Sequence, residues 1–118
     1  MGIELKAVQA LDLWRGAIVE SVRREAPDLS ARQMALLLTV YLLSQPHTVR
    51  GLAIALNISK PAVTRALDRL SELGLIRRKV DEADRRSVLI QRTVKGSVFL
   101  REFGDIIVAA AAITESAG

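Results

Sequence analysis

Residues 57–74 have the sequence NISKPAVTRALDRLSELG, which predicts a turn, a capped helix and a stop in that order. Ser59 can cap the helix, and Pro61 falls in its first turn, where a missing N–H costs nothing. Apolar residues return every three or four positions, which indicates one buried face. Gly74 follows as a C-terminal stop. We therefore predict a short amphipathic helix over residues 60–73.

A long helix and a central helix are predicted upstream of this segment. Apolar residues recur at helical spacing over Ile3–Ala26, and Pro27 ends that stretch. Ser30 and Gln33 form a capping box that opens a second helix, which runs to about Leu43. Its high apolar content predicts a position in the centre of the core.

A third, short helix is predicted directly before the quoted segment. Thr48 can cap it, and Leu52, Ala53 and Leu56 would be its buried positions. Asn57 and Ile58 then form a turn into the next helix. Two short helices joined by a tight turn are typical of a helix-turn-helix.

After Gly74 the apolar pattern changes. Leu75–Val80 and Ser87–Thr93 are short runs rich in β-branched residues, and a charged link, Asp81–Arg86, separates them. This pattern predicts a β-hairpin. From Val94 to about Ser116 the pattern is again that of a helix.

The predicted fold class is α+β, mostly α: a winged helix-turn-helix with long N- and C-terminal dimerisation helices. We expect a single winged-helix domain over residues 1–118. Its N-terminal helix would lie in 1–27, the winged helix-turn-helix in 28–93 and the C-terminal helix in 94–118. Residues 106–113 are apolar on every side of their helix, which one small domain rarely covers. We therefore expect a homodimer.

Charge is unevenly distributed along the chain. Ten of its 17 basic residues, but only five of its 13 acidic residues, lie between Lys60 and Lys95. A local excess of positive charge attracts a phosphate backbone. An α-helix fits the major groove of B-DNA, and an arginine at the end of a narrow ribbon can enter the minor groove. Taken alone, the helix over 60–73 is equally typical of an ordinary amphipathic surface helix; the basic hairpin favours the DNA-binding interpretation.

The candidate DNA-binding residues are the outward-facing side chains of that helix and the charged side chains of the hairpin. Thr64 and Arg65 would contact base edges, and the three basic residues of the first strand would contact phosphates. Asp84 would orient an arginine through a charge-assisted hydrogen bond. Ala62 is also expected to face outward. The predicted site residues are Ser59, Lys60, Pro61, Thr64, Arg65, Arg69, Arg77, Arg78, Lys79, Asp84, Arg85 and Arg86.

Residues 48–96 resemble the MarR family of winged-helix regulators. The matching segments are Leu52-Ala53, ISKPAVTRALDRL at 58–70, LGLIRR at 73–78, DEADRRS at 81–87 and TVKG at 93–96. Arg92 departs from the pattern, because the family usually has an apolar residue before the threonine. We therefore expect the second strand to end early or to point outward there. The chain also has room for one long C-terminal helix, where many members have two.

The resemblance implies a regulator that binds double-stranded DNA as a homodimer. In the family, the residue matching Arg86 enters the minor groove, supported by the residue matching Asp84. Repression is the commoner mode of action, and small phenolic or lipophilic molecules release many members from DNA. We therefore expect a repressor on a pseudo-palindromic operator, with a possible small-molecule effector of unknown identity. The alternative is a winged helix that serves as a protein-interaction module of a larger assembly.

Other function classes are disfavoured. The chain has no cysteine, which excludes a disulfide framework and a thiolate metal site. His47 is the only histidine and has no cluster of partners, so we predict no metal site and no cofactor. No arrangement of catalytic residues is recognisable, and an enzyme is not expected. No signal peptide or membrane span is predicted, so we expect a cytoplasmic, bacterial protein.

Overall fold

The computed structural model describes residues 5–117. Five helices and three short strands lie within this range, and they confirm the predicted class of a mostly helical winged helix-turn-helix. In chain order they are α1 (Ala7–Arg23), α2 (Ala31–Leu42), β1 (His47–Thr48), α3 (Val49–Leu56), α4 (Lys60–Glu72), β2 (Ile76–Val80), β3 (Val88–Arg92) and α5 (Val94–Ala117).

The chain divides into two compact units. The winged-helix unit is Leu29–Phe99. The helical unit combines Met1–Asp28 with Leu100–Gly118, of which the structure describes residues 5–28 and 100–117. The winged-helix unit includes the first turns of α5.

Three helix starts in the winged-helix unit have the predicted side-chain caps. The Ser30 hydroxyl accepts a hydrogen bond from the Gln33 N–H at 3.2 Å, and the Gln33 side chain accepts one from the Ser30 N–H at 2.9 Å. The Thr48 hydroxyl caps α3 by accepting from the Gly51 N–H, and the Ser59 hydroxyl caps α4 by accepting from the Ala62 N–H. Each cap satisfies an N–H that the helix itself leaves unpaired. These caps confirm the predicted starts of α2, α3 and α4.

The core of the winged-helix unit lies between α2, α3, α4 and the sheet. Its fully buried side chains are Leu36, Leu37, Val40, Leu52, Val63, Leu67, Leu70, Leu75 and Ile90. The central position predicted for α2 is therefore confirmed. Leu56 was expected to be buried and is only half-buried, because it lies in the last turn of α3, just before the left-handed residue Asn57.

The sheet has three antiparallel strands in the order β1-β3-β2. The predicted hairpin is confirmed: β2 pairs with β3 from Ile76 opposite Arg92 to Val80 opposite Val88. Strand β1 was not predicted; it pairs His47 with Ile90 and Thr48 with Leu89. A strand of two residues is too short to show an alternating pattern in sequence, and only pairing with the distant strand β3 defines it.

Of the two alternatives expected at Arg92, an early end of β3 is wrong, whereas the residue is exposed. The strand extends to Arg92, whose Nε donates to the Val40 carbonyl oxygen at 2.9 Å. Its Nη2 donates to the Leu43 carbonyl oxygen at 3.0 Å. These carbonyls belong to the C-terminal end of α2, where helix acceptors lack intrahelical partners and a positive charge is favourable. The arginine therefore caps α2.

The helix α1 is shorter than predicted at both ends. Ile3, the predicted first residue, lies outside the described residues, and the helix begins at Ala7. It ends at Arg23 rather than Ala26, and Arg24 is already extended, with ψ 152°. Pro27 disfavours a helical conformation at Ala26, the residue before it, which agrees with an end before Ala26 but does not itself explain the extended Arg24.

Within the helical unit, α1 packs against the C-terminal part of α5. Ala17 and Phe103 are buried, and the Trp14 ring meets Phe103 edge-on at 6.3 Å between centroids. Arg24 pairs with Glu102 at 3.3 Å. In residues 5–117, no helix is both long enough and apolar enough to cross a membrane.

Candidate nucleic-acid interface

The helix α4 buries one face and exposes the other, as its sequence predicts. Val63, Ala66, Leu67 and Leu70 are buried, while Lys60, Pro61, Thr64, Arg65 and Arg69 are exposed. Ala62 was expected to face outward and is 93% buried. Its position next to Val63 and one turn before Ala66 places it at the edge of the buried face, which is one residue wider than predicted.

Ser59 precedes this helix and fixes its start. Its Oγ accepts a hydrogen bond from the Ala62 N–H at 3.2 Å, and Pro61 occupies the first turn. The hydroxyl hydrogen can still be donated outward. This start places the Lys60 side chain at the positive end of the helix dipole, an arrangement that suits an anion.

A concave groove joins this helix start to the hairpin. It has a volume of about 350 Å³ and is lined by the start of α3, the first residue of α4 and the beginning of β3: Thr48, Val49, Arg50, Lys60, Arg86, Ser87 and Val88. Arg50, Lys60 and Arg86 therefore border one concavity, although they are far apart in sequence. Three cations around one groove create a field that attracts anions.

Arg50 is the charged residue of this groove that was not predicted from the sequence. It is exposed in the first turn of α3, and no ion pair joins it to another residue in the described part of the chain. Its position just after the cap residue Thr48 could have predicted a contact with DNA, since the first helix of a helix-turn-helix crosses the DNA backbone.

The wing is the loop 81–87 between β2 and β3. The Asp81 carboxylate accepts from the Ala83 N–H at 2.9 Å, and the Asp81 N–H donates to the Ser87 carbonyl oxygen at 3.0 Å. These bonds close the loop at its base. The wing is thus held by its own side chains in a defined turn.

Asp84 holds Arg86 at two points. One carboxylate oxygen accepts from the Arg86 N–H at 3.1 Å and from its Nε at 3.3 Å. The Arg86 side chain is 93% exposed, so the pair orients the guanidinium without burying it. The structure confirms the predicted pairing of Asp84 with an arginine. The neighbouring Arg85 pairs with Glu82 at 3.4 Å.

The three basic residues of β2 do not share one environment. Side chains alternate across a strand, so Arg77 and Lys79 lie on one face and Arg78 lies on the other. Arg77 Nη2 donates to Gln91 Oε1 at 3.2 Å. Arg78 Nη1 donates to Asp68 Oδ1 at 2.7 Å, which ties β2 to α4. Arg78 therefore differs from the two residues with which it was grouped.

The surroundings of His47 are those of a structural residue. Its side chain is in β1 and is buried, with Nε2 3.1 Å from the Leu43 carbonyl oxygen. Among residues 5–117, no group of three or more His, Asp or Glu side chains is placed to hold a metal ion.

A second cavity lies in the helical unit, between α1 and the end of α5. Its volume is about 450 Å³. Gly16 and four apolar residues of α5 form half of its wall, and Asp12, Arg15, Glu20 and Asp105 contribute charge. Thr114 also lines it, and the buried Thr114 hydroxyl oxygen has no hydrogen-bond partner.

The MarR family model matches residues 29–88, half of the chain, and this range contains the three capped helices, the groove and the wing. The chain belongs to the MarR family. This family consists of transcription regulators and not of enzymes, which agrees with the expectation that the chain is not an enzyme.

Relatives agree with this assignment. The chain is 41% identical over 70 residues to the HTH-type transcriptional regulator PecS of Dickeya dadantii (strain 3937), a match that covers 58% of this chain and 42% of PecS. The matched part thus spans less than half of that protein.

Solved structures show the same fold. A variant of S. aureus MepR bound to an oligodeoxyribonucleotide superimposes with a TM-score of 0.79 at 24% identity, covering 92% of this chain and 78% of that one. A crystal structure of MarR gives a TM-score of 0.69 at 22% identity, covering 94% and 80%. At these identities the likeness concerns the fold.

Proposed function

We propose that this chain binds double-stranded DNA in a sequence-specific way and regulates transcription, acting as a repressor. The observation that carries the proposal is the groove that Arg50, Lys60 and Arg86 border. It lies between the start of α4 and the wing, the two elements that a winged helix places on DNA. A MepR variant of the same fold was solved bound to an oligodeoxyribonucleotide, which supports the same ligand class here.

Different residues of the site contact the bases and the phosphates of DNA. Thr64 and Arg65 are exposed on α4 and carry the groups that match base edges in the major groove. Arg86, held by Asp84, reaches the minor groove. Arg50, Lys60, Arg77 and Lys79 contact phosphates, which gives affinity without sequence preference.

We propose a homodimer as the active form. Large apolar side chains are exposed on α1 and α5 of the helical unit: Val8, Leu11, Val22, Val108 and Ile113 are each at least 67% exposed. A second copy that covers these side chains removes them from water. Twofold symmetry then implies a pseudo-palindromic operator with half-site centres about one turn, roughly 34 Å, apart. A dimer bound over a promoter acts as a repressor, and such a protein works in the bacterial cytoplasm, beside the chromosome.

The cavity between α1 and α5 is where we place the small-molecule effector, if this regulator has one. Its volume of about 450 Å³ falls within the range of drug-sized ligand sites. An effector bound there would act on the helices that form the proposed dimer.

Selection of bound sequences from a random pool of duplexes tests the proposal. At moderate salt the wild-type chain enriches one pseudo-palindromic sequence. Arg65→Ala weakens binding to that sequence by about 1–3 kcal/mol and relaxes the preference at one base position in each half. Lys79→Ala is the control: it lowers affinity for all duplexes alike.

Two results would contradict the proposal. If Arg65→Ala left the sequence preference unchanged while Lys79→Ala altered it, α4 would not be the base-contacting helix. If the wild-type chain bound no duplex at moderate salt, the alternative of a protein-interaction module would gain.

A further inference from the structure

Asp68 and Arg78 form the shortest ion pair in the part of the chain that the structure describes. The Oδ1 atom of Asp68 lies 2.7 Å from Nη1 of Arg78. The pair joins the exposed face of α4 to the first strand of the wing, across the turn at Gly74. It is the one ion pair in residues 5–117 that connects these two elements.

The strand geometry explains why Arg78 faces α4. Arg78 lies opposite Ile90 in the β2–β3 ladder, and its own strand begins with Ile76. Ile76 and Ile90 are buried, so Arg78 belongs to the inner face of the sheet. Its side chain is only 34% exposed. Arg77 and Lys79 lie on the opposite face of the strand.

Asp68 stands among the side chains proposed to contact DNA. It follows Thr64 by four residues and Arg65 by three, which places it on the same face of α4. A free carboxylate there would repel the phosphate backbone. A free arginine there would attract any duplex, whatever its sequence. The pair neutralises both charges.

We propose that Asp68 and Arg78 are positioning residues that raise the sequence specificity of DNA binding. Asp68 holds Arg78 against α4 and so prevents it from acting as a sequence-independent phosphate contact. The same bond fixes the wing strand relative to the base-contacting face. Neither residue contacts DNA in this arrangement. This inference rests on the proposed function.

Asp68→Asn tests whether Asp68 restrains Arg78. It frees Arg78, which then adds one phosphate contact. The slope of log affinity against log salt steepens by about 0.9, and affinity for a mixed-sequence duplex rises about fivefold at roughly 0.15 M salt. Affinity for the selected operator rises less, so the ratio of specific to non-specific affinity falls.

Arg78→Gln has a different signature. It leaves the Asp68 carboxylate unpaired on the DNA-facing side of α4, so affinity falls on the operator and on the mixed-sequence duplex. The salt slope keeps its wild-type value, because no phosphate contact is lost. The double variant Asp68→Asn with Arg78→Gln recovers most of the lost affinity, because no unpaired charge remains.

Lys79→Gln is the matched control. It removes a cation from the next position of β2, on the other face, and Lys79 has no ion pair with any described residue. The salt slope becomes shallower by about 0.9. Circular dichroism and thermal melting of each variant check the fold, which an exposed pair of this kind stabilises only weakly.

The measurement is fluorescence anisotropy with both duplexes between about 50 and 200 mM salt. The inference is overturned if Arg78→Gln lowers the salt slope as Lys79→Gln does and Asp68→Asn leaves non-specific affinity unchanged. Arg78 would then be a phosphate contact itself. If the wild-type chain shows no salt-dependent binding to either duplex, the proposed function fails, and this inference fails with it.

Discussion

Tyr41 shows how one hydroxyl group can connect three parts of the winged-helix unit. Its OH donates to the Leu75 carbonyl oxygen at 2.6 Å and accepts from the Thr93 N–H at 2.8 Å. The side chain thereby links α2 to the start of the hairpin and to its end. A Cβ on Gly96 would collide with the Tyr41 hydroxyl and the Leu75 carbonyl, which explains a glycine in the first turn of α5.

Tyr41→Phe tests this connection. The substitution keeps the ring and leaves the Leu75 carbonyl and the Thr93 N–H without this partner. We expect the free energy of unfolding to fall by about 1–3 kcal/mol, measured by urea denaturation. Thr39→Val is the control: Thr39 Oγ1 donates only to the Ala35 carbonyl oxygen one turn earlier, and its loss should change stability by less than about 0.5 kcal/mol. Equal effects of the two variants would contradict the role of Tyr41.

Individual site residues were predictable from sequence to different degrees. The exposed residues of α4 followed from helical periodicity, because the buried positions fix the outward ones. The role of Arg78 did not follow, since alternation along β2 shows that it differs from Arg77 but not what it faces. Arg50 could not be assigned to the site from sequence, because only the folded structure brings the start of α3 next to Lys60 and Arg86.

The wing is an element whose shape depends on two aspartates. Asp81 closes the base of the loop, and Asp84 holds both the backbone and the side chain of Arg86. The adjacent pair, Glu82 with Arg85, joins two exposed side chains only. The two pairs are thus similar in charge and different in what they constrain.

Asp84→Asn tests whether the orientation of Arg86 matters. The neutral amide holds the guanidinium more weakly, because the hydrogen bond is no longer between two charged groups. Although one negative charge near DNA is removed, we expect affinity for the operator to fall several-fold in a gel shift. Glu82→Gln removes the same charge from the same loop and should leave affinity unchanged or slightly higher. If both variants bound more tightly, the wing would contribute charge and not a positioned arginine.

Whole elements were predicted where local chemistry specifies them. Capping residues marked the starts of α2, α3 and α4, since a cap acts within three residues. Strand β1 escaped prediction because its partners Leu89 and Ile90 lie about forty positions away. The end of α1 was placed three residues too late, because Pro27 marks a nearby break without specifying which earlier residue leaves the helix.

At the scale of the whole molecule, the exposed apolar side chains of α1 and α5 predict self-association. Val108→Glu places a charge on this surface, at a side chain that is 69% exposed. We expect sedimentation velocity at micromolar concentration to show a dimer for the wild-type chain and a monomer for the variant. Ile54→Glu, at an equally exposed apolar residue of α3, is the control and should remain dimeric. A monomeric wild-type chain would contradict the homodimer.

The most direct test of the central claim is an NMR titration of the labelled chain with the selected duplex. The proposed function predicts that backbone signals shift at the start of α3 around Arg50, along the exposed face of α4 from Lys60 to Arg69, and at the wing tip around Arg86. Signals of α1 from Ala7 to Arg23 should move little. Shifts confined to α1 and α5, or no shifts at moderate salt, would contradict DNA binding by this face.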